Sequence, residues 1–146
     1  MFLRSMVVGL AITTVLTGLA RADECVLSKD AQDGASIAKQ CKSCHIFEAD
    51  KPSKPTGPNL HDVYGRKPAA RGDFAGYSEG MKGAAGKGVV WDDKNLMEYV
   101  GDPAVFLEKV NGTKLGHKMF FKLADEGKRK SVILFLKEIK DKPACN

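Results

Sequence analysis

Histidine is scarce in this sequence, with three in 146 residues, and cysteine is nearly as scarce, with four. His61 and His117 are far apart and unpaired, and Cys25 and Cys145 lie one near each end of the chain. A structural zinc site needs four ligands, usually including a second closely spaced Cys or His pair, and none is present. No Val/Ile-rich strand precedes Cys41, so the βαβ setting of a thioredoxin-like pair is missing too. Convincing strands, internal repeats and low-complexity linkers are absent throughout. Lysine and arginine outnumber the acids by 23 to 18. That excess is not gathered into a basic stripe with a recognition motif, which argues against a nucleic-acid binder.

What remains is concentrated in one stretch, Cys41-Lys42-Ser43-Cys44-His45. Two thiols at this spacing can add across the two vinyl groups of one haem, and the histidine that follows can bind iron from below. The pattern C-x-x-C-H is a c-type haem attachment site, and histidine is a standard proximal ligand. One covalent haem c is therefore expected, on Cys41 and Cys44, with His45 on the iron.

The export context agrees. Residues 1–22 read as a secretory signal peptide: Arg4 is the positive start, residues 5–20 are uncharged and mostly apolar, and Ala20-Arg21-Ala22 precedes the cut. The run is short for a membrane span, and Asp23 and Glu24 do not suit lipid attachment at Cys25. The expectation is a periplasmic chain of one domain, residues 23–146, with a net charge of about +3 once Arg4 and Arg21 are removed.

Helical spacing accounts for most of the rest. A helix over 31–40 runs into the Cys-x-x-Cys-His turn. Pro52, Pro55 and Gly57 set a loop, and the glycine-rich segment 72–88 excludes long regular elements. Asp92 caps a helix carrying Leu96, Met97, Tyr99 and Val100, closed by Gly101. Asp102-Pro103 opens another, with Asp as cap and Pro at the first helical position, ending at Asn111-Gly112. A last helix over 125–141 places Val132, Ile133, Phe135, Leu136 and Ile139 on one face. The fold class is all-α, a small domain with long loops whose core is completed by the haem.

The second axial position has several candidates: Met81, Met97, Met119, His61, His117, or no residue. Met97 reads as core packing, and Met81 has nothing around it to fix it. Met119 lies between two helices beside Phe120-Phe121, which can exclude water. A thioether there favours ferrous iron and raises the potential. His117 reads as a solvent-exposed loop residue.

The ordered motifs resemble class I c-type cytochromes, most closely the bacterial cytochrome c2 and mitochondrial cytochrome c group. After Cys41–His45 come Gly57-Pro58-Asn59-Leu60-His61, Tyr64-Gly65-Arg66, Phe74-Ala75-Gly76-Tyr77-Ser78, Gly88-Val89-Val90-Trp91, Leu96-Met97-Glu98-Tyr99, Gly112-Thr113-Lys114 and Lys118-Met119-Phe120. The resemblance implies that Met119 is the sulfur ligand and that the Pro58 carbonyl accepts from His45. It implies that Arg66, Tyr77 and Trp91 bond a haem propionate, and that the Tyr99 hydroxyl approaches the methionine sulfur. Without the resemblance, Trp91 and Tyr99 read equally well as core aromatics and Arg66 as a solvated charge.

There are departures from the family pattern. Residues 114–119 and 77–91 are longer than in the mitochondrial members, and His117 stands where those have threonine. Ile37 replaces an aromatic that packs on the last helix, which implies looser packing against Phe135. In the family fold the terminal helices cross, bringing Cys25 and Cys145 near each other. In an oxidising compartment this suggests a disulfide, with free thiols or intermolecular pairing as the alternatives.

The expected function is a soluble, monomeric one-electron carrier and not an enzyme. By resemblance its partners are acidic docking surfaces of membrane redox complexes: a bc1-type donor and an oxidase or photosynthetic reaction centre. Lys39, Lys42, Lys82, Lys87, Lys114, Lys118 and Lys122 lie in segments that border the haem edge in the family fold. They would steer such encounters. The competing class is a haem enzyme with an open sixth site.

Overall fold

The computed structural model describes residues 25–145; the expected leader over 1–22 lies outside them. Five α-helices order the described chain: α1 Lys29–Ala38, α2 Glu79–Gly86, α3 Asp93–Gly101, α4 Pro103–Asn111 and α5 Glu126–Asp141. No strand occurs among the described residues, only an isolated bridge between Lys54 and Gly57. None of the described helices is long and apolar enough to cross a membrane.

Helix starts follow local side-chain chemistry. Asp92 accepts from the Asn95 amide at 2.7 Å, Asp102 from those of Ala104 and Val105 at 3.2 Å, and Asp125 from that of Lys128 at 2.9 Å. Each satisfies amides that the first helical turn leaves without partners. α4 stops at Gly112, whose φ of 71° is left-handed. α1 begins two residues earlier than expected, because Ser28 accepts from the Ala31 amide at 3.3 Å. It then tightens into a 3-10 segment, Lys39–Ser43, which delivers the two cysteines.

The glycine-rich stretch, expected to exclude long regular elements, holds one short helix of 8 residues, α2, capped by the Ser78 side chain. A Cβ on Gly80 would lie 2.3 Å from the Gly116 carbonyl oxygen, and one on Gly83 2.1 Å from Asn111 Oδ1. The glycines serve close approach here, not turning. Asn111 seals the contact by donating to the Gly80 carbonyl at 3.0 Å.

The terminal helices α1 and α5 make the main interhelical contact. At their crossing a Cβ on Gly34 would meet the Ser131 carbonyl oxygen at 2.0 Å, so only glycine fits. Phe135 on α5 finds its aromatic partner in Phe47, from the loop after His45, with ring centroids 5.5 Å apart. Phe47 is fully buried, so the core keeps an aromatic pair although α1 carries Ile37. The first and last described residues meet beyond this crossing, where the Cα atoms of Cys25 and Cys145 are 4.8 Å apart.

Candidate functional site

A cavity of about 480 Å³ opens between these helices and the loops. Its lining includes every residue that the attachment motif and the resemblance assign to the haem: Cys41, Cys44, His45, Pro58, Arg66, Tyr77, Trp91, Tyr99 and Met119. Residues nearly 80 positions apart in the chain therefore face one space.

The His45 side is built from short-range geometry. The His45 amide donates to the Cys41 carbonyl at 2.9 Å, folding the motif back on itself. His45 Nδ1 lies 2.7 Å from the Pro58 carbonyl oxygen. A carbonyl can only accept, so Nδ1 carries the proton and Nε2 keeps its lone pair. Burial is the main force on this imidazole and pushes its pKa down, outweighing the Pro58 bond. The ring is thus held neutral, the form that ligates metal. Burial also raises the Cys41 thiol pKa.

Gly57 permits this packing. A Cβ there would stand 2.7 Å from His45 Cε1, 2.8 Å from Nδ1 and 2.9 Å from the Cys44 carbonyl oxygen. Beneath lies Asn59, fully buried. Its Nδ2 donates to the carbonyls of Glu48 and Lys51 at 2.8 and 2.7 Å, and its Oδ1 accepts from the His61 amide at 2.8 Å. Ser53 Oγ accepts from the Asn59 amide at 2.9 Å and itself donates to Asp73 at 2.8 Å. Sequence reasoning had Gly57 and Asn59 only as members of a motif. The signal available for Asn59 was a lone amide side chain in a loop whose backbone groups have no ladder to satisfy them.

Met119 sits in an irregular segment between α4 and α5 that includes Gly112 and Gly116, both at positive φ. His117 turns its ring to its own loop: Nδ1 donates to the Met119 carbonyl at 3.0 Å. Of the five side chains considered for the second axial position, Met81 and Met119 line the cavity, whereas Met97, His61 and His117 do not. Met97 packs against the core.

The polar lining divides in two. Arg66 is anchored by Asp62 and by the Asn59 carbonyl, the latter at 3.0 Å. Its remaining N–H groups have no partner among the described residues. The Tyr77 hydroxyl accepts from the Arg71 amide at 3.2 Å, leaving its own proton free to donate. Trp91 and Tyr99 are buried, with ring centroids 4.9 Å apart. Backbone bonds from Gly65 to Trp91 and from Trp91 to Arg66, 2.8 and 2.9 Å, lock these segments together. Neither the Trp91 indole N–H nor the Tyr99 hydroxyl bonds to another described residue. Burial pushes the Tyr99 hydroxyl above the usual phenol range, so it stays protonated.

A small-ion site does not match this arrangement: no cluster of three or more His, Cys, Asp or Glu that could hold a metal exists among the described residues. A large, flat, apolar group bearing its own metal does match. The walls are apolar, two unpaired thiols and one neutral imidazole stand at one side, and unspent N–H and O–H donors stand elsewhere on the lining.

No family model matches the chain. It is 37% identical over 121 residues to a cytochrome c2 of Cereibacter sphaeroides, covering 78% of this chain and 98% of that protein. It is 41% identical over 112 residues to a cytochrome c-550 of Novispirillum itersonii, covering 76% and 99%. Among solved structures, cytochrome c2 from Rhodobacter sphaeroides superposes with a TM-score of 0.71 at 38% identity, covering 76% of this chain and 96% of that one. Cytochrome c2 from Paracoccus denitrificans gives 0.69 at 35% identity, covering 79% and 99%.

Proposed function

The chain belongs to the class I c-type cytochromes, and on that premise we propose that it is a soluble periplasmic carrier with His45 and Met119 on the two faces of its iron. Its cofactor is one covalently bound haem c, and electron carriage in general terms comes with the family. Haem c supplies a one-electron couple. Cys41 and Cys44 hold the group by thioether bonds. Pro58 fixes the His45 ring so that Nε2 can ligate, and Met119 closes the other side. With His45 and Met119 as its protein ligands the group would have no open position to bind and transform a reactant, and would supply one-electron exchange between a donor and an acceptor.

The observation that carries this reading is the common cavity: the attachment motif and Met119 face one space, while His117 is turned to its own loop. Trp91, Tyr77 and Arg66 are assigned as donors to the propionates, whose negative charge needs such pairing when buried. Tyr99, kept protonated by its burial, is assigned to the methionine sulfur.

Docking is assigned to acidic surfaces of a bc1-type donor and of an oxidase or reaction centre, steered by the lysines named from sequence, of which Lys118 lines the cavity. We assign the protein to the periplasm as a monomer, exported by the leader over 1–22. The proximity of Cys25 to Cys145 supports a bridge in that compartment. Counting thiols in the unfolded, unreduced holoprotein tests it: two reactive groups per chain would refute the bridge. The carrier reading as a whole is tested by mixing the reduced holoprotein with carbon monoxide. No spectral change is expected, and ready uptake would favour an enzyme or ligand-binding protein.

A further inference from the structure

The span that carries Met119 ends at Leu123 and Ala124, and one side chain closes that end. Arg129, on α5, reaches back past the start of its own helix. From a single nitrogen, Nη1, it donates to the Leu123 carbonyl at 2.6 Å and to the Ala124 carbonyl at 2.7 Å. The Leu123 amide donates in turn to the Val100 carbonyl at 3.0 Å. α3, α5 and the span are thus tied at one point. Leu123 is buried, and it lines the cavity together with Val100. Met119 lies four residues upstream, a reach of about 13 Å even if that stretch were fully extended.

The guanidinium sits where a cation is favoured. It lies against Gly101, the last residue of α3, where a Cβ would stand 3.4 Å from Arg129 Cζ. The carbonyl end of that helix attracts positive charge. Arg129 makes no ion pair among the described residues; Glu126, one turn earlier, pairs with Lys130 at 2.7 Å. Its Nε is buried and has no partner among the described residues. A buried N–H left unpaired costs about as much as a made hydrogen bond returns. That balance leaves Arg129 little net stability to contribute. What its two bonds supply is a fixed place for the end of the span.

We propose that Arg129 is the positioning residue for Met119: by holding the Leu123 and Ala124 carbonyls against the end of α3, it removes slack from the span and keeps the sulfur in reach of the iron. This rests on the His45 and Met119 reading and deepens it. An arginine that only stabilised the fold would act on global unfolding. A positioning residue acts on how often Met119 leaves while the rest of the chain stays folded. The two roles are therefore separable.

The test is imidazole binding to the ferric holoprotein, followed by its visible spectrum. Imidazole can take the Met119 position only in molecules where Met119 has left, so its apparent affinity rises with that fraction. Arg129→Gln should bind imidazole about tenfold more tightly than wild type, with a denaturant midpoint close to wild type. Arg129→Lys keeps the cation without the planar fork and should fall between the two; it carries the comparison if Arg129→Gln does not fold. Ile133→Val, in the core and away from the cavity, should lower the midpoint and leave imidazole binding unchanged. Met119→Ala should bind imidazole more tightly still, and Arg129→Gln added to it should change nothing. The proposal fails if both Arg129 variants bind as wild type does, if Ile133→Val tightens binding equally, or if the effect of Arg129→Gln persists without Met119. In each case the carrier reading stands, provided that Met119→Ala alone tightens binding. A Met119→Ala holoprotein that binds imidazole no better than wild type removes both.

Discussion

The two sides of the cavity are built on opposite plans. On the His45 side every part is held by a near neighbour: the motif bonds to itself, Pro58 holds the imidazole, Gly57 lies against the ring, and Asn59 ties the surrounding carbonyls. On the other side Met119, the ligand proposed above, hangs from a span between α4 and α5. That span is pinned at its far end by the Leu123 amide, which donates to the Val100 carbonyl at 3.0 Å. One side is held by bonds local in sequence; the other is held by contacts with distant elements, Gly80 against Gly116, Asp102 on Lys122 and Val100 on Leu123. Loss of a ligand should therefore begin at Met119.

The largest break in this comparison removes covalent attachment itself. Cys41→Ser combined with Cys44→Ser should leave no haem on the chain after denaturing electrophoresis, read by haem-dependent peroxidase staining. Stain surviving on the band would show attachment elsewhere.

A finer contrast uses one glycine from each side. Gly57→Ala forces a methyl into the His45 ring and the Cys44 carbonyl, and should cost roughly 1–3 kcal/mol by denaturant titration of the holoprotein. Gly116→Ala meets open space and suffers only its positive φ of 82°, a cost of about 1–2 kcal/mol. The spectrum should also shift with Gly57→Ala, because the His45 ring must move. Equal costs with unchanged spectra would show that the two sides are equally compliant.

The smallest effect is one of pH. Asp73 supports the His45 side through Ser53: the Ser53 amide and hydroxyl, then Arg71, hold its pKa down to about 2. A carboxylate depressed in the folded state stabilises above its unfolded pKa, and that contribution is lost as pH falls from about 4 towards about 2. Asp73→Asn should therefore flatten the stability profile of the holoprotein in that window and leave it parallel to wild type above it. An unaltered acid limb would exclude Asp73 as a support.

Much of this was legible in the sequence, for physical reasons. Asp92, Asp102-Pro103 and Asp125 begin α3, α4 and α5 by local capping, which needs no knowledge of the rest of the chain. The attachment motif is local too. What could not be read was close approach. Gly80 and Gly83 look like breakers in isolation, yet both lie within α2, at positions where Gly116 and Asn111 leave no room for a Cβ. Phe47 stands outside any helix, so its pairing with Phe135 has no periodic signal. Met119 could be ranked above His117, but the Nδ1 bond that turns His117 to its own loop appears only in three dimensions.

The central claim is that iron is held from both faces by His45 and Met119. The most direct test is the far-red absorption of the ferric holoprotein, where sulfur ligation gives a weak band, compared among wild type, Met81→Ala and Met119→Ala. The account predicts the band in wild type and in Met81→Ala, its loss in Met119→Ala, and a lower reduction potential in that variant. A band that survives Met119→Ala, or a wild type that is high-spin without one, would contradict it.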